Sequence, residues 1–160
     1  MVLAAGDRVM FYSSPNLVEW EFASSFGSLD GSHSGKWECP GLFPLLIDQQ
    51  DDHEKWVLLV SVSSGAPNGG SGIQYFVGGF DGQNFTNHNP SSVVNWVDNG
   101  KDDYAGVTFS GVEDRRILLG WMNNWCDAYQ IPTQPWKGRM TIPKELGLVF
   151  NEDETPILVS

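Results

Sequence analysis

Short runs of β-branched and aromatic residues recur along the chain, separated by clusters of Gly, Pro, Asn, Asp and Ser. Alternation of apolar and polar positions over a few residues, interrupted by turn formers, is typical of β-strands. No stretch has the apolar spacing of a helix longer than about two turns. The pattern predicts an all-β protein whose strands are Val2–Ala5, Arg8–Ser13, Trp20–Ser24, Trp56–Ser63, Ile73–Gly79, Val107–Ser110, Arg116–Met122, Leu146–Phe150 and Ile157–Val159.

Two segments share the same order of features, a strand, a turn and then an aromatic-led segment. They are Tyr12–Ser24 and Tyr75–Asn89. Their spacing of about 60 residues exceeds the usual repeat of a propeller blade, which is roughly 40–50 residues. The repeat favours a β-propeller or an open β-sandwich over a parallel-sheet enzyme.

Composition narrows the class of partner. The 160 residues are enough for one domain, and 41% hydrophobic with 18% charged residues is typical of a globular protein. The formal net charge of -11 argues against nucleic acid or an anionic membrane as the partner, because phosphate groups are bound by Lys and Arg. No apolar run is long enough to predict a transmembrane helix. A neutral ligand such as a sugar is compatible with this charge.

One carboxylate lies in an otherwise apolar stretch, Trp37–Leu46 (WECPGLFPLL). Glu38 stands between Trp37 and Cys39 there. An acid among apolar neighbours loses hydration, which favours its protonated form and suits a general acid. The alternative is a structural Glu38 that binds backbone amides at the start of a strand. The local sequence leaves both interpretations open.

A polar cluster precedes a predicted strand in DNGKDDYAGVTFSG, residues 98–111. Its carboxylates, Lys101 and Tyr104 are of the kind that hydrogen-bond sugar hydroxyls. The alternatives are a solvated turn or a calcium loop. The spacing does not match an EF-hand and Lys101 lies inside the cluster, so we expect no metal there.

Three of the seven tryptophans fall close together, at Trp121, Trp125 and Trp136. Aromatic rings stack on the apolar faces of sugar rings, and the neighbouring Asn and Gln side chains can reach hydroxyl groups. The alternative is core packing, which we favour for Trp121 because it follows an apolar strand. Trp125 is flanked by Asn and Asp residues, so we expect it at the surface.

Signatures of other site types are absent from the sequence. There is no phosphate-binding loop, no dinucleotide-binding glycine pattern and no nucleophile-elbow serine. His33, His53 and His88 have no second ligand at metal spacing. We therefore expect neither a metal nor a cofactor. Cys39 would be a thiol nucleophile only if a histidine lay beside it.

Taken together, WECPGLFPL, GKDDYAGVTF, LLGWMNNW and QIPTQPWKGRMTIPKELGL occur in an order that resembles the middle part of glycoside hydrolase family 32. That family includes invertases, inulinases and levanases. The first 27 residues also resemble the segment before the family's Glu-Cys motif, so the resemblance covers essentially the whole chain. It implies a five-bladed β-propeller and retaining hydrolysis of β-fructofuranosides. It also implies a fructose-containing carbohydrate as substrate and residence outside the cell.

The resemblance assigns roles to individual residues. It implies that Glu38 is the acid/base of the Glu-Cys motif, with Cys39 beside it at the substrate. It implies that Asp102 and Tyr104 belong to the family's Asp-x-Tyr-Ala pattern. The aromatic wall of the fructose site corresponds to Trp125, with Trp121 as the competing assignment.

One part of the family pattern is missing. The family's nucleophile lies in a Trp-Met-Asn-Asp-Pro-Asn-like motif and its transition-state stabiliser in an Arg-Asp-Pro motif, and neither motif occurs in these 160 residues. We therefore expect a single domain, residues 1–160, that is an incomplete propeller of about two to three blades. It would lack the N-terminal blade or blades and the C-terminal β-sandwich.

Three hypotheses follow. The chain is part of a fructan- or sucrose-hydrolysing enzyme, inactive alone because it carries the acid/base without the nucleophile. Alternatively, it is a non-catalytic carbohydrate-binding protein. Or it is a subunit completed by another copy or a partner chain through exposed blade edges.

Overall fold

The computed structural model describes residues 1–48 and 53–160, which form an all-β fold with one short 3₁₀ turn, Ala128–Gln130. The predicted fold class is confirmed in this respect. The strands, in chain order, are β1 Val2–Ala4, β2 Val9–Ser13, β3 Glu21–Phe26, β4 Trp37–Leu46, β5 Glu54–Val62, β6 Gly72–Phe80, β7 Phe85–Asn87, β8 Asn95–Trp96, β9 Tyr104–Thr108, β10 Arg116–Met122, β11 Arg139–Met140, β12 Lys144–Phe150 and β13 Pro156–Val159.

These strands pair in three antiparallel sheets, each built from a continuous part of the chain. The first has the order β1-β2-β3, and the second has the order β4-β5-β6-β7 with β8 also on β6. The third has the order β9-β10-β12-β13 with β11 also on β10. The first strands of the three sheets are neighbours, since β4 packs next to both β1 and β9. Residues at the starts of these strands can therefore meet.

The middle sheet is buried on both faces. Along β5, Leu58 and Val60 pack into the cluster shared with the first sheet. Val57 and Leu59, which alternate with them, pack into the cluster shared with the third sheet. Side chains of a strand alternate between its two faces, so a strand covered on both sides reads as a continuous apolar run. This is the run that made β5 predictable.

Four strands, β4, β7, β8 and β11, were not predicted, and β9 begins earlier than predicted. The sequence did not predict β4, because its two prolines, Pro40 and Pro44, cannot donate to a ladder. β4 tolerates them because it is the terminal strand of its sheet and Pro40 lies at a bulge. β9 begins at Tyr104 rather than at Val107, because a second bulge interrupts the alternation between them.

The two outer sheets keep large apolar side chains in solvent. In the first sheet and its turns they include Leu17, Val18 and Phe22, and in the third sheet and its turns they include Val107 and Phe109. Faces of this kind in a β-protein are candidates for covering by further chain. Within residues 1–48 and 53–160, no helix has the length and apolar character needed to cross a bilayer.

Replacing Leu58 by Ala should lower the free energy of unfolding by about 2–5 kcal/mol, because a side chain with 0% exposure would leave a cavity between the first two sheets. Urea unfolding monitored by tryptophan fluorescence measures this. The matched control is Leu17→Ala, since Leu17 is 76% exposed and its truncation should change stability by less than about 0.5 kcal/mol. Equal losses in the two variants would contradict the two-sided packing of the middle sheet.

Candidate active site

One hydrogen bond joins the second and third sheets at the starts of their first strands. The hydroxyl of Tyr104, the first residue of β9, donates to Oε2 of Glu38, the second residue of β4. Tyr104 is 3% exposed, whereas Glu38 is exposed. The two residues are 66 positions apart in the chain, so the contact depends on how the sheets pack.

The apolar sequence around Glu38 led us to expect a carboxyl group deprived of water, and this expectation is wrong. Trp37 is buried, and Glu38 points to the other side of the strand because successive side chains alternate. Nor, among residues 1–48 and 53–160, does a backbone amide bind the Glu38 carboxylate, as the alternative structural role would require. Its carboxylate accepts the phenol of Tyr104 and is otherwise open to solvent.

A β-bulge follows each member of this pair. Cys39 and Pro40 lie opposite one residue of β5, and Ala105 and Gly106 lie opposite one residue of β10. Cys39 has φ 47° and Ala105 has φ 51°, in the left-handed region that non-glycine residues rarely adopt. Bulges change the direction of side chains and are common beside active sites. Here they interrupt the regular pairing immediately after Glu38 and Tyr104, and pairing resumes at Gly41 and Val107.

The surroundings keep two neighbouring groups protonated. Burial, and then the hydrogen bond to Glu38, raise the pKa of Tyr104 well above its usual range. Tyr104 is therefore a lasting neutral donor to the carboxylate. Burial and the charge of Glu38 also raise the pKa of the Cys39 thiol. A thiol held protonated is a poor nucleophile, so Cys39 does not fit that role.

Two tryptophan rings pack against the ring of Tyr104. The ring centroid of Trp125 lies 6.5 Å from that of Tyr104 at an interplanar angle of 77°, and that of Trp121 lies 6.4 Å away at 65°. Trp121 and Trp125 are 5.0 Å apart. Trp125 is 44% exposed, whereas Trp121 is half-buried behind it. Of the two, Trp125 therefore presents the ring that a ligand can reach.

A buried amide holds Trp125 in place. Nδ2 of Asn124 donates to the carbonyls of Gly69, Ser71 and Lys101 at 3.0, 3.2 and 2.6 Å. Its Oδ1 accepts the backbone amides of Ser71 and Cys126. Asn124 thus joins three loops at the end of the fold where Glu38 lies. Gly70 lies between Gly69 and Ser71 in the loop before β6. It must be glycine because a Cβ there would lie 1.8 Å from Asn124 Oδ1.

The polar cluster before β9 divides into exposed and buried members. Asp102 is exposed and lies beside Lys101, which pairs with Asp127 at 2.7 Å. Asp103, one residue later, is buried and accepts Lys144 Nζ at 2.9 Å. Burial raises the pKa of Asp103, although Lys144 opposes the shift.

Lys144 also pairs with Asp98 at 2.7 Å, and its hydrogen bond lowers the pKa of that carboxyl. Burial opposes the positive charge on Lys144, yet its hydrogen bonds to the two aspartates raise its pKa. Lys144 therefore fixes both ends of the segment 98–103 that leads into Tyr104.

The structure brings together most of the residues singled out in the sequence. Glu38, Cys39, Tyr104 and Trp125 lie at one end of the fold, with Asp102 at its exposed rim, and their roles stay predictions. Sequence reasoning missed Asn124, which it treated as a sign of surface, and the buried pair Asp103–Lys144. The asparagine run NN before Trp125 was the local signal for Asn124, and Asp103 belonged to the polar cluster, but nothing local pointed to its pairing with Lys144.

Two other features lie outside this site. Among the described residues, no group of three or more His, Cys, Asp and Glu is arranged to hold a metal ion. A groove of about 440 Å³ lies at the opposite end of β4, between Pro44–Leu46 and the segment Glu145–Gly147. It contains none of the candidate site residues.

Known proteins resemble this chain over nearly its whole length. Residues 1–159 match the glycosyl hydrolases family 32 N-terminal domain. A levanase from Bacillus subtilis is 53% identical over 98% of the chain and 24% of its own length. The solved exo-inulinase of Aspergillus awamori has a TM-score of 0.92 at 37% identity, covering 99% of the chain and 32% of that protein. A fructofuranosidase variant from Schwanniomyces occidentalis, complexed with fructosylnystose, has a TM-score of 0.88 at 36% identity, covering 99% and 31%.

These neighbours are five-bladed β-propeller enzymes, so the predicted propeller fold is confirmed. The chain spans about a quarter of the length of the levanase and about a third of the solved enzymes it matches.

Replacing Tyr104 by Phe should weaken the pH dependence of stability in alkali. Because the pKa of Tyr104 is raised on folding, the folded chain holds the phenolic proton more tightly than the unfolded chain. The parent should therefore lose stability as the pH rises above about 10, the value for an unperturbed tyrosine, and the variant should lose less. Urea unfolding at a series of pH values measures this, with Tyr12→Phe as the control. Parallel curves for the parent and Tyr104→Phe would contradict the burial of the phenol.

Replacing Asn124 by Ala should lower the free energy of unfolding by about 2–4 kcal/mol, because it leaves several buried carbonyl and amide groups unpaired. The near-UV circular dichroism of the tryptophans should also weaken as Trp125 loses its support. Asn99→Ala is the matched control, since Asn99 is exposed in the neighbouring loop. A near-UV spectrum unchanged in Asn124→Ala would show that Trp125 is held by other contacts.

Proposed function

The chain belongs to glycoside hydrolase family 32, and on that premise we propose that it carries the acid/base half of a retaining β-fructofuranosidase site. The substrate is sucrose or a fructan, and the bond cleaved joins a terminal fructose to the rest of the molecule. The observation that carries the proposal is the Glu38–Tyr104 hydrogen bond, formed beside the exposed ring of Trp125.

Glu38 acts first as an acid and then as a base. It protonates the leaving oxygen as a nucleophilic carboxylate attacks the fructose, and later takes a proton from the water that releases the sugar. An exposed carboxyl with one side-chain donor is suited to such exchange, because substrate and water can reach it. The neutral phenol of Tyr104 fixes its orientation and donates to its charged form.

The other residues of the site bind the sugar. Trp125 offers a ring for the apolar face of the fructose, and Asp102 at the exposed rim offers a carboxylate to hydroxyl groups. Cys39 lies next to Glu38 on the bulge and lines the same opening. Its protonated thiol contributes contact rather than chemistry.

The second carboxylate comes from residues outside these 160. The motifs that carry the family's nucleophile and transition-state stabiliser are absent from this sequence. The exposed apolar side chains of the two outer sheets favour the presence of further blades that cover them on either side. Residues 1–160 are then one incomplete propeller domain. Without the nucleophile, the chain alone is inactive or nearly so.

A second candidate is carbohydrate binding without hydrolysis. This candidate is favoured because the proposed sugar-binding residues lie within these 160 residues, whereas the nucleophile motif does not. In the third candidate, another copy or a partner chain covers the exposed outer sheets and completes the site. Binding of fructose without its release, even when the segment that carries the nucleophile motif is supplied, favours the second candidate. Activity restored by a separate chain favours the third.

Fructose release from sucrose, inulin and levan should be at background level for the chain alone. It should appear when the segment preceding the matched region of the Bacillus subtilis levanase is fused to its start. In that fusion, Glu38→Gln should reduce release by roughly a hundredfold or more, since general acid–base groups contribute about 10²–10⁴-fold. The matched control is Glu152→Gln, an exposed residue in a distant turn that should leave the rate unchanged. A fusion that keeps its activity with Glu38→Gln would overturn the acid/base assignment. Activity of the chain alone would overturn the inference that these 160 residues lack the nucleophile.

A further inference from the structure

We propose that Tyr129 is an outer stacking subsite for a sugar residue beyond the terminal fructose, which directs the site toward fructan chains. This inference rests on the proposed function, because it extends the same opening outward from Glu38. No motif of the sequence analysis pointed to Tyr129.

The exposed fraction of the aromatic rings at the site increases from the interior toward solvent. From Tyr104, which is 3% exposed, the next ring is Trp125 at 44% exposure and the last is Tyr129 at 80%. The centroid of Tyr129 lies 6.2 Å from that of Trp125, at an interplanar angle of 37°. Trp125 therefore contacts both other rings, and Tyr129 is the outermost and most exposed member of a continuous aromatic surface that begins at the Glu38–Tyr104 hydrogen bond. A sugar residue joined to a fructose on Trp125 would meet this surface next.

The backbone that carries Tyr129 is fixed. In the 3₁₀ turn, the amide of Ala128 donates to Asn124 O at 2.9 Å and that of Gln130 donates to Asp127 O at 2.8 Å. Lys137 Nζ donates to the carbonyl of Tyr129 itself at 2.7 Å. An exposed aromatic side chain on a fixed backbone loses little conformational freedom when a ligand stacks on it.

The chemistry around the ring matches a neutral carbohydrate. Asp127, two residues before Tyr129, forms an exposed ion pair with Lys101, and Gln130 is exposed next to Tyr129 in the chain. These groups offer donors and acceptors to hydroxyls around an apolar surface, which is the usual composition of a small-molecule site. With a net charge of -11 on the chain, an anionic ligand is disfavoured.

The test compares the affinities of fructose and of fructosylnystose, an oligosaccharide that contains several fructose residues, by ligand-observed NMR titration of the chain. The parent should bind the oligosaccharide about threefold to tenfold more tightly than fructose, the range expected for one added aromatic contact. Tyr129→Ala should lose this gain while its affinity for fructose stays unchanged. Tyr129→Phe should keep the gain because it keeps the ring. Phe109→Ala is the control for removing an exposed aromatic ring elsewhere.

The outcomes distinguish failure of the Tyr129 subsite from failure of the proposed sugar site itself. A gain that persists in Tyr129→Ala overturns the outer subsite, and so does a parent that binds both sugars equally; in both cases the proposed function survives because fructose binds. No binding of either sugar by the parent overturns the subsite together with the proposed sugar site. Unfolding curves for Tyr129→Ala that match the parent show that loss of the gain does not come from loss of the fold.

Discussion

Burial of the middle sheet on both faces is the constraint on which the rest of this structure depends. β5 and β6 carry apolar side chains toward the first sheet and toward the third, so neither face can be left open to water. Both neighbouring sheets must therefore pack against it, and their first strands then lie beside β4. The positions of Glu38 and Tyr104 follow from this packing, because each residue lies at the start of such a strand. The site is thus a product of the core, although its residues lie outside it.

Irregular backbone and an unpaired polar atom then accompany the site that the packing of the sheets creates. At both Cys39 and Ala105, a residue with a Cβ adopts a positive φ, which costs on the order of 1–2 kcal/mol relative to an ordinary strand conformation. The buried Oδ1 of Asp103 has no hydrogen-bond partner within the described part of the chain. Such costs persist where the surrounding structure compensates for them, and they are frequent at functional sites. Within the described residues such features are not confined to the site, since other positive φ values occur in turns and the buried Ser61 and Gln74 of the middle sheet each have an unpaired polar atom. At the site, however, two of them lie directly beside one hydrogen bond.

The sequence predicted features that depend on neighbours along the chain. β5 and β6 were evident because they are continuous apolar runs between turn residues, and the exposed position of Trp125 was also predicted. β4 was not, because two prolines conceal a strand whose unpaired side tolerates them. The exposure of Glu38 and the burial of Asn124 depend on which face of an element meets another sheet, and composition does not record this. Lys144 and Asp103 are 41 positions apart, so their pairing is a tertiary fact. The functional roles came from the family resemblance rather than from the periodicity.

The hydrogen bond between Glu38 and Tyr104 has a consequence for how heat would affect the site. Its two ends belong to different sheets, which are held together by side-chain packing and not by a continuous backbone ladder along their length. Contacts of that kind soften over a range of temperature in which the ladders within each sheet persist. A small sliding of one sheet against the other would break the bond while leaving the strands intact. The carboxylate would then lose its orientation, and the proposed chemistry of the site would fail at a lower temperature than the fold.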